Sequence, residues 1–355
     1  MDKSQINELK KINSEKQKSE KKQLKKSIRK TQSDLFFSKL KLAKKRSRFF
    51  IFIILLIGLA GYLFVGAIAS EWIDLPNIVI ANYFFISFNT IILLIANVEI
   101  LNLNKTKIPL GPKIISYFLI VLMYLTPSLM YYDKILYPPG SAINFSSDIN
   151  VILFFVYIIY LVIYILLGLW GKDNKISIMF FTYALSNLLV FAFKAMNIIM
   201  LSTDHGLSNH GWIAVLWLML IVISADTFAY LGGSKFGKNK LAPSISPNKT
   251  KEGALIGWIA SSIIGIAFAF CFFGNFDYYF FPSETLGLRC FLYVILPIFL
   301  SVFSMLGDLL FSYVKRKYGV KDFSNLLGAH GGVLDRLDSV SLVFFIMYFI
   351  CMILL

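Results

Sequence analysis

Residues 149–170 read INVILFFVYIIYLVIYILLGLW, without one charged side chain. About 20 mostly apolar residues suffice for a helix to cross the hydrocarbon core of a bilayer. A helix buried on one side only would show a polar stripe, and this stretch has none. It reads as a membrane span. The rest of the chain carries the same bias: of 355 residues, 57% are hydrophobic, 16% aromatic and 15% charged, with a mean hydropathy of +0.70. Soluble domains average roughly 45–50% apolar and about 25% charged residues. A soluble enzyme, a disordered protein and a secreted disulfide scaffold are therefore excluded. The apolar residues come in long runs rather than alternating with polar ones, which argues against a transmembrane β-barrel.

Outward from that stretch, nine segments have the length and composition of spans: 49–69, 78–101, 114–131, 149–170, 176–200, 212–231, 254–273, 291–310 and 339–355. The third and ninth are short. The expected fold is an all-α polytopic membrane protein of about nine transmembrane helices. Residues 1–48 precede them as a basic tail, 49–200 hold helices one to five, and 201–355 hold helices six to nine with two polar loops, 232–253 and 311–338. Cys271, Cys290 and Cys351 are far apart without CxxC spacing, so they read as apolar filler.

The net charge is +15, and it is uneven. In residues 1–48, 17 basic against 5 acidic side chains leave +12. That tail reads as disordered or as a solvated helix. Its apolar residues, such as Phe36, Phe37 and Leu40, alternate with lysines. Such a segment suits an anionic lipid surface and equally a positive-inside flank. No nucleic-acid partner is expected, because the charge belongs to a tail and not to a site. With the N-terminus cytosolic, the inner loops carry 15 Lys and Arg residues, and the outer loops only Lys134 and Arg289. Basic residues favour the cytosolic side, so the C-terminus is expected outside. Both polar loops, and with them the chemistry, are expected at the cytosolic face of the cell membrane.

Carboxylates inside spans are costly and rare. Asp226 lies a little over a turn from the inner end of the sixth span, Asp308 likewise in the eighth, and Asp335 and Asp338 just before the ninth. Four acids at one depth suit a divalent cation; the bland reading pairs them with loop Lys and Arg residues. Asp308, Ser312 and Lys315 follow at i, i+4 and i+7 on one helix face, an arrangement suited to a metal-bound phosphate. Magnesium takes oxygen ligands, commonly one or two carboxylates with substrate phosphates. His330, Gly331 and Gly332 precede Asp335 and Arg336, and glycines ahead of a helix N-terminus let backbone N–H groups approach an anion. In the other loop, Ser246, Lys249 and Thr250 could hold a polyphosphate. Gly232–Lys238 superficially fits GxxxxGK, but Asn239 stands at the Ser/Thr position and no strand precedes it, so a P-loop is rejected. Lys194 in the fifth span could snorkel, pair with an acid or bind a lipid headgroup.

Residues 312–338, SYVKRKYGVKDFSNLLGAHGGVLDRLD, resemble the signature of phosphatidate cytidylyltransferases, the CDP-diacylglycerol synthases. Gly328 stands where many members have Pro. DTFAYLGG (226–233) and LAPSISPNKTKEG (241–253) are similar to a second block of that family. The motifs cover roughly 226–338; residues 70–225 match only as hydrophobic spans, and the tail is longer than the family requires. The resemblance implies a helical membrane enzyme, often dimeric, that converts CTP and phosphatidate into CDP-diacylglycerol and pyrophosphate on the cytosolic leaflet. It implies Mg²⁺ as cofactor and allows a monovalent cation such as K⁺ beside it. Asp308, Asp335 and Asp338 are then expected metal ligands, with Asp226 as a further candidate. Lys315, Arg316, His330 and Arg336 are the expected catalytic cations, and Ser246, Lys249, Thr250, Ser312, Lys321, Gly331 and Gly332 the expected substrate contacts. A phosphomonoester with a second pKa near 6 is a dianion at neutral pH, so no strong general base is needed. The demand is for positioning and cationic stabilisation. Two alternatives remain open: a related CTP-dependent membrane enzyme acting on another lipid phosphate or alcohol, and a transporter. The transporter lacks visible inverted repeats, and its polar residues would sit at one face instead of the midplane.

Overall fold

The structure is a computed structural model. It describes residues 57–65, 78–103, 110–125, 148–169, 176–201, 211–273, 286–327 and 331–354, with Ile53. The basic tail 1–48 and His330 lie outside the described residues.

Eight long helices are described, with a further helical stretch at 57–65. In chain order they are α1 (Ile78–Asn102), α2 (Leu110–Leu125), α3 (Asp148–Leu169), α4 (Ile176–Leu201), α5 (Gly211–Phe236), α6 (Lys251–Phe273), α7 (Leu286–Lys317) and α8 (Leu334–Leu354). Each coincides with an apolar run of the sequence. Among the described residues, five helices are long and apolar enough to cross a membrane: α1, α4, α5, α6 and α7.

One boundary differs from the sequence reading in a way that matters. The sixth segment runs on to Phe236, so Gly232 and Gly233 are helical and make no phosphate loop. The all-α expectation also needs correction. Between α5 and α6 stands a small antiparallel hairpin, β1 (Lys240–Ala242) and β2 (Ser246–Thr250), with Lys240 opposite Thr250 and Ala242 opposite Ser246. Pro243 and Pro247 explain it, because proline removes an N–H and fixes φ, which blocks helix and favours a tight turn. The turn closes with the Ile245 N–H donating to the Ala242 carbonyl at 3.1 Å. At the neck, Glu252 accepts from the Lys238 and Asn239 N–H groups at 3.1 Å and from Asn239 Nδ2 at 2.7 Å.

α5 and α6 make the most extensive helix–helix contact among the described elements. Small residues permit it. A Cβ at Gly253 would lie 2.6 Å from the Ala229 carbonyl oxygen, and one at Gly257 would lie 2.7 Å from that of Ala225. Within lipid there is no hydrophobic drive between helices, so association depends on such close backbone approach. Trp217 fastens the pair further along, donating Nε1–H to the Gly265 carbonyl at 2.7 Å.

α7 has 32 residues and is therefore about 48 Å long at ~1.5 Å per residue, longer than the ~30 Å hydrocarbon core. Its last turns, with Ser312, Lys315 and Arg316, extend past its apolar stretch. α8 packs on α4 and α7 and so brings its first turn beside them.

Candidate active site

Five elements line a cavity of about 510 Å³: α5 gives Asp226, Tyr230 and Gly233, the hairpin gives Lys249 and Thr250, α6 gives Ala254, α7 gives Met305 and Asp308, and α8 gives Arg336 and Asp338. Residues more than 100 positions apart thus share one pocket. Three carboxylates face two cations here. Lys249 pairs with Asp308, and Ser312 donates its hydroxyl to Asp308 Oδ1 at 3.2 Å. Ser339 donates its Oγ–H to Asp226 Oδ2 at 3.2 Å, and its N–H to Asp338 Oδ1 at 2.8 Å. Asp226 and Asp338 each feel the negative charge of Asp308.

The helices set these positions by their periodicity. On α7, Asp308 and Ser312 are one turn apart and bonded, as their spacing predicts. Lys315 lies one turn further, but it turns to α8, where its Nζ reaches Asp335 Oδ1 at 2.9 Å and stays 4.0 Å from Asp338 Oδ2. It also lies 5.3 Å over the Phe323 ring.

The pocket gathers six of the predicted site residues: Asp226, Asp308, Asp338, Lys249, Thr250 and Arg336. Ser312 and Lys315 adjoin it through Asp308 and Asp338. Thr250 has a second duty, since its Oγ1 accepts the Gly253 N–H at 3.2 Å and so caps α6.

Asp335 does not line the pocket. Its carboxylate is filled by Lys315 on Oδ1, and on Oδ2 by the N–H groups of Phe323 at 2.9 Å and Gly332 at 2.8 Å. The spacing of Asp335 and Asp338 had suggested two equal ligands; the backbone donors of the loop claim the first. Gly331 and Gly332 are also outside the cavity. The Gly332 N–H goes to Asp335, and the Gly331 carbonyl accepts the Leu327 N–H at 2.8 Å. The glycine loop thus holds protein carboxylate where the sequence suggested phosphate. Arg316 reaches the hairpin turn, donating Nε–H to the Ile245 carbonyl at 3.2 Å. Ser246 in β2 and the exposed Lys321 do not line the pocket either.

One residue that sequence reasoning missed is Glu99 on α1. Its carboxylate accepts the Ser324 hydroxyl at 2.6 Å and the N–H groups of Val333 at 2.9 Å and Leu334 at 2.8 Å. The signal was present, because Glu99 is the one charged residue within the predicted span 78–101.

The donor set suits a hard divalent cation. Asp226, Asp308 and Asp338 bring an excess of negative oxygen to the cavity over Lys249 and Arg336. Among the described residues no three acids, His or Cys stand close enough together to hold a metal ion by themselves. A cation there would be held by one or two of these carboxylates and would need substrate phosphates to complete its ligands.

Residues 49–354 match the cytidylyltransferase family. A phosphatidate cytidylyltransferase of Staphylococcus haemolyticus is 32% identical over 281 residues, covering 78% of this chain and 93% of that protein. One from Haemophilus influenzae is 36% identical over 173 residues, covering 48% of this chain and 56% of its own length. One from Bacillus subtilis is 36% identical over 144 residues, 41% of this chain and 49% of that protein.

Proposed function

The chain belongs to the cytidylyltransferase family, and we propose from that premise that it is a CTP:phosphatidate cytidylyltransferase, making CDP-diacylglycerol for phospholipid synthesis. The observation that carries this reading is the meeting of Asp226, Asp308 and Asp338 with Lys249 and Arg336 in one cavity at the polar ends of apolar helices. A triphosphate needs cations around it, and a lipid phosphate needs access from the bilayer.

In this reading a phosphate oxygen of phosphatidate attacks the α-phosphorus of CTP. The bond to the β-phosphate oxygen breaks, and pyrophosphate leaves with the electron pair. The lipid dianion is already nucleophilic near neutral pH. Two anions must approach, so the work of the chain is positioning and charge compensation. Lys249 exchanges Asp308 for a phosphate oxygen. Arg336 offers a planar fork suited to phosphate. Ser312 orients Asp308, and Ser339 orients Asp226 and Asp338. One or two of Asp308, Asp338 and Asp226, together with the substrate phosphates, would hold Mg²⁺, which when bound offsets the phosphate charge; a monovalent cation beside it is part of the same proposal.

The catalytic half is residues 201–355. Nine spans with a cytosolic N-terminus and an external C-terminus put the cavity at the cytosolic face; the 15-to-2 distribution of loop Lys and Arg supports this orientation. The +12 tail supports contact with anionic lipid. The test is pyrophosphate release from CTP by the purified protein in detergent. Release should require phosphatidate and a divalent cation. Equal release with a lipid alcohol, or none with phosphatidate, overturns the reading.

A further inference from the structure

We propose that Glu99 is a positioning residue: reaching across from α1, it latches the first turn of α8 and so fixes Arg336 and Asp338 in the pocket. This rests on the reading of that pocket as the cytidylyl-transfer site.

The first N–H groups of a helix have no partner within it. Usually a Ser, Thr, Asp or Asn just ahead of the helix accepts one of them. Ahead of α8 stands Val333, which has no such side chain. An acceptor comes instead from 234 residues upstream and serves the two amides where the chain enters the helix: Glu99 Oε1 takes the N–H of Val333 itself, just outside α8, at 2.9 Å, and Oε2 takes that of Leu334, the first helical residue, at 2.8 Å. The negative charge also complements the positive end of the helix. Glu99 is 4% exposed, so these bonds form away from water, where leaving a donor unmade is costly. Oε1 further accepts the Ser324 hydroxyl at 2.6 Å, which ties the loop ahead of α8 to the same carboxylate.

Gly332 is shaped by this contact. A Cβ there would lie 2.5 Å from Glu99 Oε2 and 2.6 Å from Oε1. The carboxylate would have to leave its donors to make room. Gly332 is therefore needed for the approach of Glu99. Arg336 and Asp338 follow within about one turn of the latched amides. A rotation of that turn carries both relative to Lys249 and Asp308, which belong to other elements.

The full chain in detergent tests this with Glu99→Ala, Gly332→Ala and the double variant. KM for CTP does not depend on how much of the protein is folded, so it separates positioning from loss of stability. Glu99→Ala is expected to raise KM for CTP about tenfold and to speed amide hydrogen exchange at 333–334 at least tenfold. Gly332→Ala should shift both in the same direction, and the double variant should be no worse than Glu99→Ala, because the colliding group is gone. A KM within twofold of wild type in Glu99→Ala, unchanged exchange, or additive effects overturn the proposal. Should Glu99→Ala fail to fold, Glu99→Gln replaces one acceptor oxygen by an NH2 that cannot accept an amide N–H, and it should raise KM for CTP and speed exchange at 333–334 as Gly332→Ala alone does; wild-type values in both variants overturn the proposal. If wild type releases no pyrophosphate with phosphatidate, the functional reading falls, while exchange at 333–334 still decides the latch.

Discussion

Lys315 and Asp335 form a buried ion pair, Nζ to Oδ1 at 2.9 Å, joining the last turns of α7 to the first turn of α8. The same Asp335 carboxylate accepts the Phe323 and Gly332 N–H groups. Removing one partner of a buried pair leaves the other uncompensated, at about 3–5 kcal/mol. Asp335→Asn and Lys315→Met should therefore lower the unfolding temperature in detergent by several degrees. The half-saturating Mg²⁺ concentration should stay within twofold of wild type for Asp335→Asn. An unchanged unfolding temperature with a shifted metal requirement would restore Asp335 as a ligand.

Asp226, Asp308 and Asp338 repel one another in the ligand-free pocket. Neutralising Asp226 relieves part of this repulsion. Asp226→Asn should be slightly more heat-stable than wild type in chelator, and its turnover should fall at least tenfold. Asp308→Asn and Asp338→Asn should lose turnover by roughly a thousandfold, the scale reported for losing a preorganised electrostatic partner in other active sites. Steady-state assays beside thermal melts measure both effects. A loss of stability in Asp226→Asn with full activity would contradict the assignment.

Lys249 bonds Asp308 before substrate arrives. A hydrogen bond to a charged group contributes about 1.5–3 kcal/mol, or roughly a 10- to 150-fold change in binding. Lys249→Met should raise KM for CTP by that factor and change KM for phosphatidate much less. Titrating each substrate at saturating levels of the other distinguishes the two.

Gly253 faces backbone, not a movable side chain, with the Ala229 carbonyl oxygen 2.6 Å from where a Cβ would stand. Gly253→Ala must push α5 and α6 apart, at about 1–3 kcal/mol for overpacking. The variant should melt several degrees lower. Its catalytic defect should exceed that of an alanine placed at Gly287, where a Cβ meets nothing.

The helices were legible because a bilayer span demands a long apolar run, and eight such runs coincide with described helices. The pairing of Asp308 with Ser312 was legible for a similar reason, since one turn of helix brings i and i+4 together. Asp335 was not separable from Asp338. Both lie on one face of α8, and only the positions of the Phe323 and Gly332 N–H groups show that backbone donors occupy the first and leave the second to the pocket. The hairpin was hidden because its two prolines mark a turn without saying that the flanking strands pair.

Local order along the chain thus decided what kind of molecule this is: an apolar, helical, membrane-type chain with a basic tail, two polar loops and a few carboxylates set within its apolar runs. Which anion would occupy the N-terminus of α8 was decided only by the tertiary structure. A helix end attracts any nearby carboxylate or phosphate through the same unpaired N–H groups, and no pattern within 312–338 announces that Glu99, 234 residues earlier than Val333, arrives to fill that place.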